Sequence, residues 1–157
     1  MIKGIVFDMD GLMFDTETMY IEMVPKLAAR AGIAFPEEEM QRIIGCDKTM
    51  LNGIEKDYPG ITEVICRDYQ GKRMEHFYSF FPEKGQADKK GLKEIVDWLN
   101  ENDIPYAIAS SSARQNIVEM CSHSAADLKP KAIISSLDGL PSKPNPSVLL
   151  AAAKAMN

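Results

Sequence analysis

The chain has 157 residues, 45% of them hydrophobic, and a formal net charge of −5. This length suits one ordinary domain, or a small core carrying an insertion, and the apolar content is enough for a packed interior rather than a disordered chain. A net acidic chain argues against DNA, RNA or anionic lipid as a partner, so the expected partner is a small molecule.

No apolar run approaches the roughly 18 residues needed to cross a bilayer, and the start Met1-Ile2-Lys3-Gly4 lacks the pattern of a signal peptide. The expected location is therefore cytoplasmic. Cys46, Cys66 and Cys121 are odd in number and never spaced as C-x-x-C, so they read as reduced packing thiols rather than a disulfide framework or a zinc site.

Ile2 to Phe7 reads as a short, apolar, β-branched strand of a parallel sheet, and Asp8, Asp10 and Gly11 follow at its carboxyl end. From Tyr20, the positions Met23, Val24, Leu27, Ala28 and Ala31 recur at helical spacing until Gly32, with Pro25 expected to kink or offset that helix. Pro36 with Glu37, Glu38 and Glu39 predicts another helix start, ending near Ile43-Ile44-Gly45. Further helices are predicted over Lys48 to Asp57 and Ile61 to Phe80. Residues 15–84 thus contain helices and no persuasive strand, the texture of an insertion into another domain.

After Gly85, a helix marked by Leu92, Ile95, Val96 and Leu99 precedes a strand over Tyr106 to Ala109. A helix from Ala113 to Ser122, a strand over Ala132 to Ser135 and a final helix from Ser147 to Met156 follow. The alternation predicts an α/β fold: a Rossmann-like, doubly wound parallel sheet with right-handed crossovers. Residues 1–14 and 85–157 would form that core, and residues 15–84 the helical insertion.

Ligands of an open parallel sheet bind beyond the carboxyl ends of its strands, where the strand order reverses. Three polar clusters lie at such ends: Asp8 and Asp10, then Ser110-Ser111-Ser112, then Lys143-Pro144-Asn145-Pro146 after a loop. A carboxylate attacking a phosphate monoester meets a nearly doubly charged target, so positive charge must be supplied locally. A Mg2+ ion and one lysine balance those charges, and a hydroxyl or N–H holds the equatorial oxygens.

Asp8 as nucleophile, Ser110 as phosphate anchor and Lys143 as counter-charge meet that demand, while Asp10 protonates the leaving oxygen and later activates water. Gly11, Ser111 and Ser112, adjoining them, are candidate substrate contacts. Each residue also has a plainer reading. The aspartates suit a turn before Gly11, the serines a helix cap and Lys143 a solvated surface. Asp15 reads as the cap of the following helix. His76 and His123 lack ligand spacing.

Asp8-Met9-Asp10-Gly11, Asp15-Thr16-Glu17, Ser110 and Lys143-Pro144-Asn145-Pro146, in this order and spacing, resemble the haloacid dehalogenase (HAD) superfamily across the whole chain. The chain looks most like the branch containing β-phosphoglucomutase and phosphoglycolate-type phosphatases, in which a helical cap follows the first motif. The resemblance implies a Mg2+-dependent phosphatase of a small phosphate monoester, a sugar phosphate or similar metabolite, working through an aspartyl-phosphate. It makes Asp8 nucleophile and metal ligand, and Asp10 general acid/base with its backbone carbonyl on the metal. Ser110 would contact the transferred group, and Lys143 would bridge nucleophile and phosphate. It also makes Gly45 to Thr49 the substrate-selecting cap loop, with Lys48 and Glu17 as candidate substrate contacts.

Two departures from the family pattern bear on this. Mutase relatives carry a histidine where this chain has Tyr20, which favours hydrolysis over phosphosugar isomerisation. Family members continue past the lysine motif into a strand with an acidic pair that completes the metal site. The expectation is therefore a piece of a longer phosphatase; taken alone, the piece would leave its first strand at an exposed sheet edge, which invites self-association. A β-phosphoglucomutase-like isomerase and a catalytically impaired fragment are the alternatives. Dehalogenation is disfavoured, because a carbon–halogen bond needs no proton donor and Asp10 would be superfluous.

Overall fold

A computed structural model describes residues 2–44, 48–141 and 143–156, excepting the side chains of residues 48–50. In chain order the elements begin with β1 (Ile5–Phe7), α1 (Thr16–Arg30), a 3-10 helix (Glu37–Arg42) and α2 (Lys48–Asp57). Next come α3 (Ile61–Glu63), a π-helical stretch (Val64–Tyr69), a 3-10 turn (Gln70–Lys72) and α4 (Arg73–Phe80). The remainder is α5 (Leu92–Glu101), β2 (Tyr106–Ser110), α6 (Arg114–Ser122), β3 (Ala132–Ser135), a 3-10 turn (Ser136–Asp138) and α7 (Ser147–Lys154). The contacts divide the chain into two compact units, Met1–Asp15 with Phe81–Asn157, and Thr16–Phe80.

The first unit is an α/β sandwich on a parallel sheet. Among the described residues the strand order is sequential, β1-β2-β3, so the polar strand ends gather over adjacent strands rather than at a reversal of order. Ile5 pairs with Tyr106, and Ser110 lies directly opposite Ser135. β2 is buried along its whole length, as befits a central strand. Its alternation puts Ala107 and Ala109 on one face, where their small side chains admit α7 through Val148 and Ala152.

β1 is shorter than its apolar run. The residue of the neighbouring strand before Tyr106 is Pro105, which has no N–H to extend the ladder, and Ile2 is exposed.

The second unit is helical. Met19, Val24, Leu27 and Ala28 of α1 are buried, as are Ile61, Val64, Ile65, Tyr69 and Phe77. α1 starts four residues before the expected Tyr20 and runs through Pro25. Its polar opening, Thr16-Glu17-Thr18, hides the helical period but suits a first turn, where Glu17 faces the positive end of the helix dipole.

The helix expected as one piece from Ile61 to Phe80 is broken into four by the π-helical stretch and the 3-10 turn. There the His76 Nε2–H donates to the carbonyl of Asp68 at 2.7 Å, and its ring stacks on Tyr69. Among the described residues no helix is long and apolar enough to cross a membrane, and Cys66 and Cys121 are free thiols.

Candidate active site

The site grows out of the end of β1. Continuing the strand's alternation, Met9 turns into the core while Asp8 and Asp10, two residues apart, leave on the other side. The chain then folds back on itself. The N–H groups of Met13 and Phe14 donate to the Met9 carbonyl at 2.9 and 3.2 Å, and Gly11 N–H donates to Phe14 O at 2.9 Å. Gly11 has φ 75°, a conformation that favours glycine, so its place in the motif is that of a turn former whose N–H is already used.

The two aspartates have different partners. Lys143 Nζ donates to Asp8 Oδ1 and, at 3.0 Å, to the carbonyl of Ala109 near the end of β2. The pair is only partly shielded, with 43% of the Asp8 side chain and 29% of Lys143 exposed, so the Asp8 carboxylate remains within reach of a ligand.

Asp10 Oδ2 instead accepts hydroxyl protons, from Ser112 at 2.8 Å and Ser110 at 3.3 Å. Ser110 is fully buried, and its Oγ also accepts the Ser112 N–H at 3.0 Å. The expected meeting of three strand ends therefore occurs: one carboxylate takes an ammonium, the other hydroxyls.

The remaining predicted residues fall elsewhere. Ser111 is exposed. Glu17, also exposed, stands on the first turn of α1 in the helical unit. Lys48 opens α2, but its side chain, like the Gly45 to Asp47 part of the expected cap loop, lies outside the described residues. Asp15, expected as a helix cap, receives Lys89 Nζ on its Oδ1 at 2.6 Å.

One participant was not singled out from the sequence. Ser135, fully buried at the end of β3, donates through Oγ to the Ser112 carbonyl at 2.7 Å and accepts the Leu137 N–H at 3.1 Å. It carries the signal that marked Ser110, a hydroxyl closing an apolar strand.

Asp8 and Asp10 offer hard oxygen donors of the kind Mg2+ selects. The described residues contain no group of three or more His, Cys, Asp or Glu placed to hold a metal ion. Two carboxylates fit the mode in which Mg2+ keeps several waters and completes its shell with substrate phosphate oxygens.

The chain matches the model of the haloacid dehalogenase-like hydrolase family over residues 5–157 and belongs to that family. It is 24% identical over 118 residues to a phosphorylated carbohydrates phosphatase of Thermotoga maritima, covering 75% of this chain and 54% of that protein. It is 27% identical over 112 residues to the mitochondrial (DL)-glycerol-3-phosphatase 1 of Arabidopsis thaliana, covering 71% of this chain and 37% of that one. The chain thus spans about half or less of these relatives' length.

The crystal structure of a β-phosphoglucomutase from Clostridium difficile superimposes with a TM-score of 0.68 at 22% identity, covering 100% of this chain and 72% of that one. At that identity the likeness speaks for the fold alone.

Proposed function

We propose that the chain carries the catalytic core of a hydrolase of small phosphate monoesters, with Asp8 as nucleophile, Asp10 as general acid and base, and residues 16–80 serving as the cap. The observation that carries this reading is the unlike pairing of two neighbouring carboxylates, Asp8 on the Lys143 ammonium and Asp10 on serine hydroxyls. A nucleophile gains from a cation that offsets the charge of its target, whereas an acid/base group gains from neutral partners that orient it.

In the first step an Asp8 oxygen forms a bond to phosphorus as the bond to the ester oxygen breaks, and the departing oxygen takes a proton from Asp10. In the second, Asp10 removes a proton from water, whose oxygen attacks the aspartyl-phosphate. The bond to Asp8 breaks, releasing phosphate and restoring its carboxylate. Lys143 stays on the Asp8 side throughout, neutralising charge there. Mg2+, when held by Asp8, Asp10 and phosphate oxygens, would supply the further positive charge that draws the phosphoryl oxygens into line.

The relatives' names point to phosphorylated sugars or polyols as the substrate class. Tyr20 stands at the position where mutase relatives have histidine, and the missing imidazole favours hydrolysis over isomerisation; its ring packs on Tyr69 with centroids 4.9 Å apart.

The test is phosphate release from glycerol 3-phosphate and from an aryl phosphate, with Mg2+ or with chelator. Turnover should need Mg2+ and vanish in Asp8→Ala. Turnover that persists in that variant would remove the mechanism.

A further inference from the structure

We infer that Ser135 is a positioning residue that holds Asp10 in place to protonate the leaving group, acting through Ser112. The inference rests on the phosphate-monoester reading above. Three serines at two adjacent strand ends form the device. The parallel register sets Ser110 directly opposite Ser135, and Ser112 follows two residues after the end of β2.

Ser112 is then fixed at three points. Its N–H donates to Ser110 Oγ at 3.0 Å, its carbonyl accepts Ser135 Oγ–H at 2.7 Å, and its own hydroxyl donates to Asp10 Oδ2 at 2.8 Å. Holding the peptide groups on both sides of the Ser112 Cα fixes the backbone there and hence the Cα–Cβ direction, from which the hydroxyl reaches Asp10. Ser135 and Ser110 are fully buried and Ser112 is nearly so, which removes water as a competitor for these bonds.

A surface cap of the 3-10 turn would need only the bond from Leu137 N–H to Ser135 Oγ. The proton of the same hydroxyl goes instead to the loop that carries Asp10's partner. A general acid must lie within hydrogen-bond reach of the departing oxygen, and small misplacements cost large factors in rate. The Ser135 hydroxyl bonds the Ser112 carbonyl, so its effect passes through the Ser112 backbone.

The effect has a signature that loss of fold does not share. The ratio kcat/KM reports the steps up to departure of the first product, so it senses protonation of the leaving group and not the later attack of water. Glycerol 3-phosphate expels a poor alkoxide and needs the acid, while p-nitrophenyl phosphate expels a stable phenolate and hardly does.

In Ser135→Ala and in Ser112→Ala, kcat/KM should fall at least about tenfold further on glycerol 3-phosphate than on p-nitrophenyl phosphate. Ser135→Thr, which keeps the hydroxyl, should restore most of the difference. Asp10→Asn is the control for the underlying reading and should show the same selective loss. Equal loss on both substrates in Ser135→Ala, beside a selective loss in Asp10→Asn, would overturn this inference and leave the mechanism standing.

An Asp10→Asn variant without selectivity, or no turnover by the unaltered protein, would remove both. A crystal structure of Ser135→Ala in which Ser112 Oγ still meets Asp10 would overturn the inference independently of activity.

Discussion

Lys143 illustrates what one side chain adds at this site. Its ammonium sits between the Asp8 carboxylate and the Ala109 carbonyl, two acceptors fixed by neighbouring strands. A compact point charge on a flexible stem fits between them, whereas a planar guanidinium with five donors needs a wider seat. Lys143→Ala should therefore lower kcat on p-nitrophenyl phosphate by about 100- to 1000-fold, the usual cost of removing a preorganised charge partner, and Lys143→Arg should not recover it. Steady-state kinetics of the two variants check this, and full activity in the arginine variant would show that only net charge matters. That Asp8, Asp10, Ser110, Ser112 and Lys143 would meet was legible in the sequence, because the aspartates and serines stand at or just past the ends of apolar strands and Lys143 follows the third strand after a loop. The partition of the serines was not. Which hydroxyl faces Asp10 depends on loop geometry that the residue types do not encode, and Ser135 was read as part of a strand.

At the scale of elements, strands and long amphipathic helices were readable from their periods, while departures from regular helix were not. A π-helical stretch shifts the helical phase, and the apolar positions from Ile61 to Phe77 still look periodic across it. Local capping also lies outside periodicity. Glu55, on α2, reaches forward so that its Oε1 accepts Gly60 N–H at 2.7 Å and its Oε2 accepts Thr62 N–H at 2.9 Å, tying the end of one helix to the start of the next. These backbone hydrogen bonds, Gly60 first, hold the Glu55 carboxyl below its ordinary value of 4.5. A carboxyl depressed in the folded state stabilises the fold above its unfolded pKa, and that contribution is lost as pH falls through the folded value. Glu55→Gln should thus lose at most about 1 kcal/mol at pH 7, since a carboxylate only partly buried is still screened by solvent. The gap between variant and parent should narrow as the pH falls below 4.5 and close once it has passed the lower folded value. Urea unfolding midpoints over a descending pH series measure it, and a gap that widens in acid would refute the capping role.

At the scale of the whole chain, the question is how a sheet unit accepts a 65-residue insertion between its first two strands. Within that unit the segments on either side of the insertion are clasped together. Asp15 N–H donates to Ala87 O at 2.8 Å, Lys89 N–H donates to Met13 O at 2.9 Å, and Phe14 forms an antiparallel bridge with Asp88. The Lys89–Asp15 ion pair spans the same two segments. Gly85 seats the returning segment: its N–H donates to the His123 carbonyl at 2.8 Å and its own carbonyl accepts Asp88 N–H at 3.1 Å. With φ +81°, and with an added Cβ only 2.5 Å from Ala125 Cβ, the position admits no side chain without moving backbone. Gly85→Ala should therefore cost about 2 to 4 kcal/mol, combining left-handed strain with overpacking. Because the clash lies wholly inside the sheet unit, hydrogen exchange should accelerate at the amides of β1, β2 and β3 more than at those of α1 and α4. Uniform acceleration across all five would mean that the two contact-defined units open as one, and unchanged stability would mean that the returning segment does not need its glycine.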